Sequence, residues 1–158
     1  MEMPIPHDNS NIVSSWDVLN GQEVTGDCVV IGGGLVGAET AEYLANKGHQ
    51  VTIVEMMDKI AAGESTTVLP LMMKDFADHN VKQLVNTKVD HIENNIVYTA
   101  NEQIKADTII NALGSKKNIF DDSSITIPHV CVGDCSGERT ADIASAIRTA
   151  YKAANEIG

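Results

Sequence analysis

The stretch Cys28-Val29-Val30-Ile31-Gly32-Gly33-Gly34-Leu35-Val36-Gly37 decides the fold of this 158-residue chain. Its first four residues form an unbroken apolar run, which is typical of a parallel strand covered on both faces. Three glycines follow, and small or apolar residues then recur at helical spacing, namely Leu35, Ala38, Ala41 and Ala45. The pattern predicts a strand, a tight turn and a helix.

A second strand follows that helix. Lys47 and Gly48 provide a basic last turn and a glycine beyond it, which is how many helices end. The apolar run Val51–Val54 then predicts a strand ending at Glu55. Strand, helix and strand together predict a right-handed β-α-β unit with a parallel sheet. A further helix is predicted around Pro70, closed by Asn80.

The chain returns to this sheet through a region without helical period. Asn94-Asn95 lies between two β-rich segments and predicts a hairpin, because asparagine tolerates positive φ. A second turn is predicted at Asn101-Glu102 and a core strand at Thr108–Asn111. The predicted fold class is therefore α/β, a Rossmann-type parallel sheet with a β-meander crossover.

The last part of the chain has a different pattern. A polar loop, Ser115 to Ser124, is followed by a predicted strand at Val130-Cys131-Val132 and a helix beginning near Thr140. We divide the chain into a leading segment, 1–24, a central domain, 25–114, and a C-terminal segment, 115–158.

The glycine cluster has the spacing G-x-G-x-x-G, and each of its three defining glycines has a physical reason. Gly32 permits the tight turn, Gly34 lets a diphosphate approach the backbone, and Gly37 lets the helix pack closely on the strand. The unpaired N–H groups at the start of the helix attract an anion without any basic side chain. The motif predicts dinucleotide binding by Gly32, Gly33, Gly34, Leu35, Val36 and Gly37, and a structural glycine turn is the alternative.

An acidic residue at the end of the second strand supports this interpretation. Glu55 lies 23 residues after Gly32, where a carboxylate roughly 20 residues on accepts hydrogen bonds from adenosine ribose hydroxyls. Repulsion of a 2′-phosphate by this carboxylate, of about 1–4 kcal/mol, favours NAD(H) over NADP(H). Only Lys59 is near in sequence to bind such a phosphate. Met56 is also a candidate cofactor-binding residue, although the Met56-Met57 pair has the alternative role of filling the core.

Two further candidates each have an alternative. Glu39, in the second turn of the glycine-loop helix, either faces the nicotinamide or is a solvent-exposed glutamate. Gly114, at the carboxyl edge of a strand, either contacts the ligand or forms a plain turn. No Ser/His/Asp, Cys/His or metal-ligand pattern is present, so we assign no catalytic and no metal-binding residue.

Composition narrows the possible functions. The net charge is −11, which makes binding to nucleic acid or to an anionic membrane unfavourable. No apolar run reaches the roughly 20 residues that a membrane span needs, and no targeting signal is seen. Three cysteines are too few for a disulfide scaffold, and Cys28 is expected to be a buried thiol. A reducing, cytoplasmic setting is expected.

The motifs resemble those of a known family. The residues concerned are Trp16–Leu19, Val29–Glu39, Val51–Glu55, Ala112–Gly114 and Val132–Asp134. They resemble the C-terminal region of NADH:flavin oxidoreductases of the old yellow enzyme class, such as 2-enoate reductases, 2,4-dienoyl-CoA reductases and trimethylamine dehydrogenase. The resemblance implies the FAD/NAD(P)-binding fold of two-dinucleotide flavoproteins. Residues 25–114 are then the NAD(H) domain and residues 115–158 the end of an FAD domain. It also implies that Asp134 contacts the ribityl chain and that Glu39 lies near the nicotinamide.

The resemblance also implies a function. The chain is expected to be a fragment that holds NADH for hydride transfer to FAD, with the missing flavin domains of the parent protein as its partners. FMN and the iron–sulfur cluster of such proteins are expected outside this chain, so it is not expected to be catalytically complete alone. The alternatives are a standalone NAD(H)-binding regulatory module and a domain that binds ADP structurally.

Overall fold

The computed structural model describes residues 3–62, 67–114, 121, 123–136 and 143–156. It divides into two compact units, Met1–Gly114 and Ser115–Gly158. The first unit is built on a parallel sheet, which confirms the predicted α/β class.

Five strands form the central sheet of the first unit, and every neighbouring pair is parallel. In spatial order they are β1 (Ile12–Ser14), β8 (Thr108–Asn111), β2 (Cys28–Ile31), β3 (Val51–Val54) and β4 (Lys82–Leu84). All four residues of β2 and of β8 are buried. The continuous apolar run of β2 is therefore explained by packing on both faces of the sheet.

Helices cover one face of this sheet and an antiparallel meander covers the other. The helices are α1 (Ser15–Leu19), α2 (Leu35–Asn46) and α3 (Leu69–Asp78), and the meander comprises β5 (Val89–Glu93), β6 (Ile96–Thr99) and β7 (Gln103–Lys105). Cys28 and Val30 of β2 face the helices, whereas Val29 and Ile31 face the meander. Because successive side chains of a strand point to opposite faces of the sheet, the residues of β2 contribute to two separate hydrophobic cores.

The backbone at the predicted helix ends and hairpin confirms the sequence interpretation. Gly48 follows α2 with φ of 91°, and Asn80 follows α3 with φ of 56°. Asn94 and Asn95 have φ of 52° and 59° between β5 and β6, which are the two positive values of a type I′ hairpin turn. The predicted β-meander crossover is therefore present.

Two expectations for the first unit need correction. Ile12–Ser14 of the leading segment forms strand β1 and extends the sheet by pairing with β8, which its sequence did not predict. Met56 and Met57 are 67% and 56% exposed, so the interpretation of this pair as core filler is wrong. They follow the carboxyl end of β3 and belong to neither of the two buried clusters that cover the sheet.

The second unit contains a single turn of 3-10 helix, Gly133–Cys135, and helix α4, Ile143–Glu156. The predicted strand at Val130–Val132 is wrong, because these residues are not in a strand. Among the described residues of this unit no other strand is available to pair with them, and an apolar run needs such a partner to become a strand. Residues 115–120, 122 and 137–142, which include most of the polar loop and the predicted helix start, lie outside the described residues.

Candidate dinucleotide-binding site

A crevice of about 460 Å³ lies at the carboxyl ends of β2, β3 and β8 in the first unit. Ligands of open α/β sheets bind at this edge. The crevice brings together several residues singled out in the sequence, namely Gly32, Gly34, Glu55, Met56 and Gly114.

The glycines at the two ends of the motif are required by the fold itself. Gly32 has φ of 101°, and a Cβ there would lie 2.6 Å from the carbonyl oxygen of Ala112. A Cβ on Gly37 would lie 1.9 Å from the carbonyl oxygen of Gly32. Because backbone cannot yield as a side-chain tip can, these positions exclude any larger residue and hold α2 close to β2.

Gly34 has no such structural requirement. It precedes α2 with φ of −64° and ψ of −174°, which is extended backbone that other residues adopt. A Cβ on Gly34 would have no heavy atom within 4 Å. No side chain caps this end of α2, so the helix presents its first N–H groups and positive dipole end to the crevice. The glycine leaves open a space that a ligand can occupy.

The Glu55 carboxylate is held at the rim of the glycine loop by backbone donors. Its Oε2 accepts a hydrogen bond from the N–H of Gly33 at 2.6 Å, and its Oε1 accepts one from the N–H of Met57 at 2.7 Å. Each carboxylate oxygen can accept a second bond. The side chain is therefore fixed in place and still has acceptor capacity for ligand hydroxyls.

Gly33 packs against the side chains of Glu55 and Ile60. A Cβ on Gly33 would lie 2.5 Å from Cδ1 of Ile60 and 3.0 Å from Cβ of Glu55. The carbonyl of Gly33 accepts a hydrogen bond of 2.7 Å from the N–H of Ala61. Gly33 is not among the crevice-lining residues, so its place in the motif is explained by the close packing of Glu55 and Ile60.

The remaining predicted residues lie around or away from the crevice. Leu35 and Val36 begin α2 directly after the glycine loop. Glu39 is exposed on α2 and is not among the residues that line the crevice. Asp134 lies in the 3-10 turn of the second unit, and its side chain is outside the described part of the structure.

The sequence interpretation missed one wall of the crevice. Ile5 of the leading segment and the consecutive residues Thr87, Lys88 and Val89 line it. The N–H of Thr87 donates to the carbonyl of Glu55 at 2.9 Å, which places this segment beside the acidic residue. Because the segment follows β4, the signal that could have found it is its position after a parallel strand next to β3.

The buried thiol of Cys28 lies outside the crevice. Burial, aided by the nearby charges of Asp27 and Asp107, raises the pKa of the Cys28 thiol to about 11, so this cysteine stays protonated and inert. The described residues contain no cluster of three or more His, Cys, Asp or Glu side chains able to hold a metal ion.

No helix within the described ranges is long and apolar enough to cross a bilayer.

Comparison with known proteins assigns the fold to a family of redox proteins. Residues 3–129 match the family described as pyridine nucleotide-disulphide oxidoreductase. Bilirubin reductase of Mediterraneibacter gnavus is 44% identical over 161 residues, covering 97% of this chain. Cinnamate reductase of Clostridium sporogenes is 31% identical over 159 residues, covering 92% of it.

A solved structure of 2-naphthoyl-CoA reductase with 2-naphthoyl-CoA is also similar. It superposes with a TM-score of 0.78 at 28% identity and covers 96% of this chain. The chain spans 24% of that protein, 24% of the bilirubin reductase and 23% of the cinnamate reductase. The similarity therefore concerns about a quarter of each of these longer proteins.

Proposed function

The chain belongs to the pyridine nucleotide-disulphide oxidoreductase family, and from this membership we propose that residues 25–114 bind NADH for hydride transfer to FAD. Proteins of this family and its structural neighbours bind FAD and NAD(H). The proposal assigns the nicotinamide cofactor to the crevice beside the glycine loop.

The observation that carries this proposal is the open space at Gly34. Backbone contacts explain the glycines at Gly32 and Gly37, but a Cβ added to Gly34 would meet no protein atom within 4 Å. A diphosphate placed there accepts hydrogen bonds from the uncapped N–H groups of α2 and does not clash with a Cβ. This explains how a chain with a net charge of −11 binds an anionic cofactor.

Glu55 supports the same assignment at the sugar. Two backbone N–H groups already fix its carboxylate. The carboxylate can therefore accept hydrogen bonds from ribose hydroxyls with little further loss of side-chain entropy on binding. Bound NADH supplies the hydride, and the residues of this chain bind and orient it. We assign no side chain a role in proton transfer.

We further propose that the module works within a larger NADH:flavin oxidoreductase of the old yellow enzyme class. The matches to bilirubin reductase and cinnamate reductase support this, since both are reductases of which the chain spans about a quarter. In that setting residues 115–158 contribute to the FAD domain, with Asp134 near the ribityl chain. FMN, an iron–sulfur cluster and an unsaturated substrate belong to other parts of the parent protein.

Isothermal titration of the 158-residue chain with NADH, NADPH and ADP tests the proposal, with an absorbance spectrum to detect co-purified flavin. We expect NADH to bind more tightly than ADP, because the nicotinamide half adds contacts. Equal affinities for ADP and NADH would instead favour a structural ADP site. Failure of all three nucleotides to bind would refute the nucleotide assignment.

A further inference from the structure

The lining of the crevice includes a lysine, Lys88, that lies outside the glycine motif. Among the described residues that line the crevice, two are ionisable, Glu55 and Lys88. They come from different parts of the chain and lie beyond the glycine loop, on the β3–β4 side of the sheet. A positive charge at this place bears on which dinucleotide the crevice accepts.

The backbone on both sides of Lys88 is fixed. The N–H of Asn86 donates to the carbonyl of Met57 at 2.8 Å, and the N–H of Thr87 donates to the carbonyl of Glu55 at 2.9 Å. Val89, on the other side, is the first residue of β5 and is buried in the core between the meander and the sheet, with 7% of its surface exposed. The segment is thus bonded to the backbone of Glu55 and Met57, and these bonds hold the backbone of Lys88 at the crevice wall.

The charge of Lys88 is available to a ligand. The ion pairs of the described chain join Lys74 to Asp78 and Lys82 to Glu102, and neither involves Lys88. Glu55 does not pair with it among the described residues either, since its carboxylate oxygens accept hydrogen bonds from the N–H groups of Gly33 and Met57 and no ion pair joins it to Lys88. These donors also offset part of the negative charge of Glu55, which weakens its repulsion of a phosphate.

We propose that Lys88 is a specificity-determining residue that binds the 2′-phosphate of NADP(H). The crevice then accepts NADPH as well as NADH, with a smaller preference for NADH than Glu55 alone would impose. The position favours the 2′-phosphate over the diphosphate, because Lys88 adjoins the ribose-binding acid while the diphosphate lies at the glycine loop. This inference rests on the proposed function, since it assumes a dinucleotide in the crevice.

The test compares Lys88→Ala with wild type by titration of NADH and NADPH. We expect NADPH affinity to fall about three- to five-fold, as for loss of one solvent-exposed ionic contact of about 0.7–1 kcal/mol. NADH affinity should stay within about two-fold. Adenosine 2′,5′-bisphosphate and 5′-AMP, which differ only in the 2′-phosphate, should reproduce the difference.

Two variants control for charge and for chemistry. Lys105→Ala removes another exposed cation, on β7 and outside the crevice, and should leave both affinities unchanged. Lys88→Arg should retain NADPH binding, because it keeps the positive charge. If wild type binds NADH but Lys88→Ala leaves the NADH/NADPH ratio unchanged, the inference is wrong and the proposed function stands. If wild type binds neither nucleotide, both are wrong.

Discussion

Substitution of Gly34 by valine separates ligand binding from folding in this chain. The built Cβ of Gly34 has no heavy atom within 4 Å, and its φ of −64° suits an L-residue. We expect the free energy of unfolding to change by less than about 1 kcal/mol. Loss of chain entropy in the unfolded state stabilises the variant by about 0.4–1 kcal/mol, and a poorer helix N-cap opposes this.

The same substitution is expected to abolish NADH binding. Valine fills the space that a diphosphate would occupy and removes its approach to the N–H groups of α2. Loss of two hydrogen bonds to a charged group, each worth about 1.5–3 kcal/mol, weakens binding by at least about 100-fold. Isothermal titration with NADH measures the affinity, and urea unfolding followed by circular dichroism measures the stability.

Gly37→Ala is the matched comparison within the same motif. Its Cβ would lie 1.9 Å from the carbonyl oxygen of Gly32 and 3.1 Å from Cβ of Ala112. The helix must move away from the strand, so we expect a loss of stability of about 3 kcal/mol or more together with loss of binding. Two results would contradict this account of the motif: wild-type NADH affinity in Gly34→Val, or equal destabilisation by both substitutions.

Three further predictions concern titratable side chains. Burial raises the pKa of the Cys28 thiol from 9.0 to about 11, so the thiolate fraction at pH 8 is about 1 in 1,000. We therefore expect iodoacetamide to modify Cys28 at least about fifty-fold more slowly in the native protein than in the urea-unfolded protein. Burial and a hydrogen bond with Asp75 raise the pKa of Glu42 above 4.5, so wild-type stability should fall as pH rises from 4.5 through that raised value. Glu42→Gln should flatten this slope in urea titrations across the range from about pH 4 to pH 8. Glu55→Arg should shift the NADPH/NADH affinity ratio by at least about ten-fold toward NADPH, and an unchanged ratio would refute the role assigned to that carboxylate.

Local chemistry explains which elements were predictable. The hairpin at Asn94-Asn95 was predictable because two successive positive φ angles favour asparagine. The end of α2 was predictable because Gly48 adopts φ of 91°. In each case the residue type itself restricts the backbone, so a few neighbouring residues were sufficient evidence.

Elements that depend on a distant partner were not predictable in this way. Strand β1 is only three residues long, and Ile12–Ser14 pairs with Ile109–Asn111 almost 100 residues later. Val130–Val132 has an equally apolar sequence but is not in a strand. The difference lies in the presence of a parallel strand to receive the segment, which hydrophobic pattern alone does not reveal.

The residues of the candidate site also differ in how far they could be predicted from local sequence. Its glycine loop and Glu55 lie in one continuous β-α-β unit, so their spacing in sequence fixes their proximity in space. Ile5 and Lys88 reach the same crevice from outside that unit, through the leading segment and through the chain that follows β4. A sequence interpretation confined to the motif therefore finds an acidic residue at the expected ribose position and predicts a preference for NAD(H) over NADP(H). The lining of the whole crevice also includes Lys88, and on our proposal cofactor preference depends on two side chains of opposite charge.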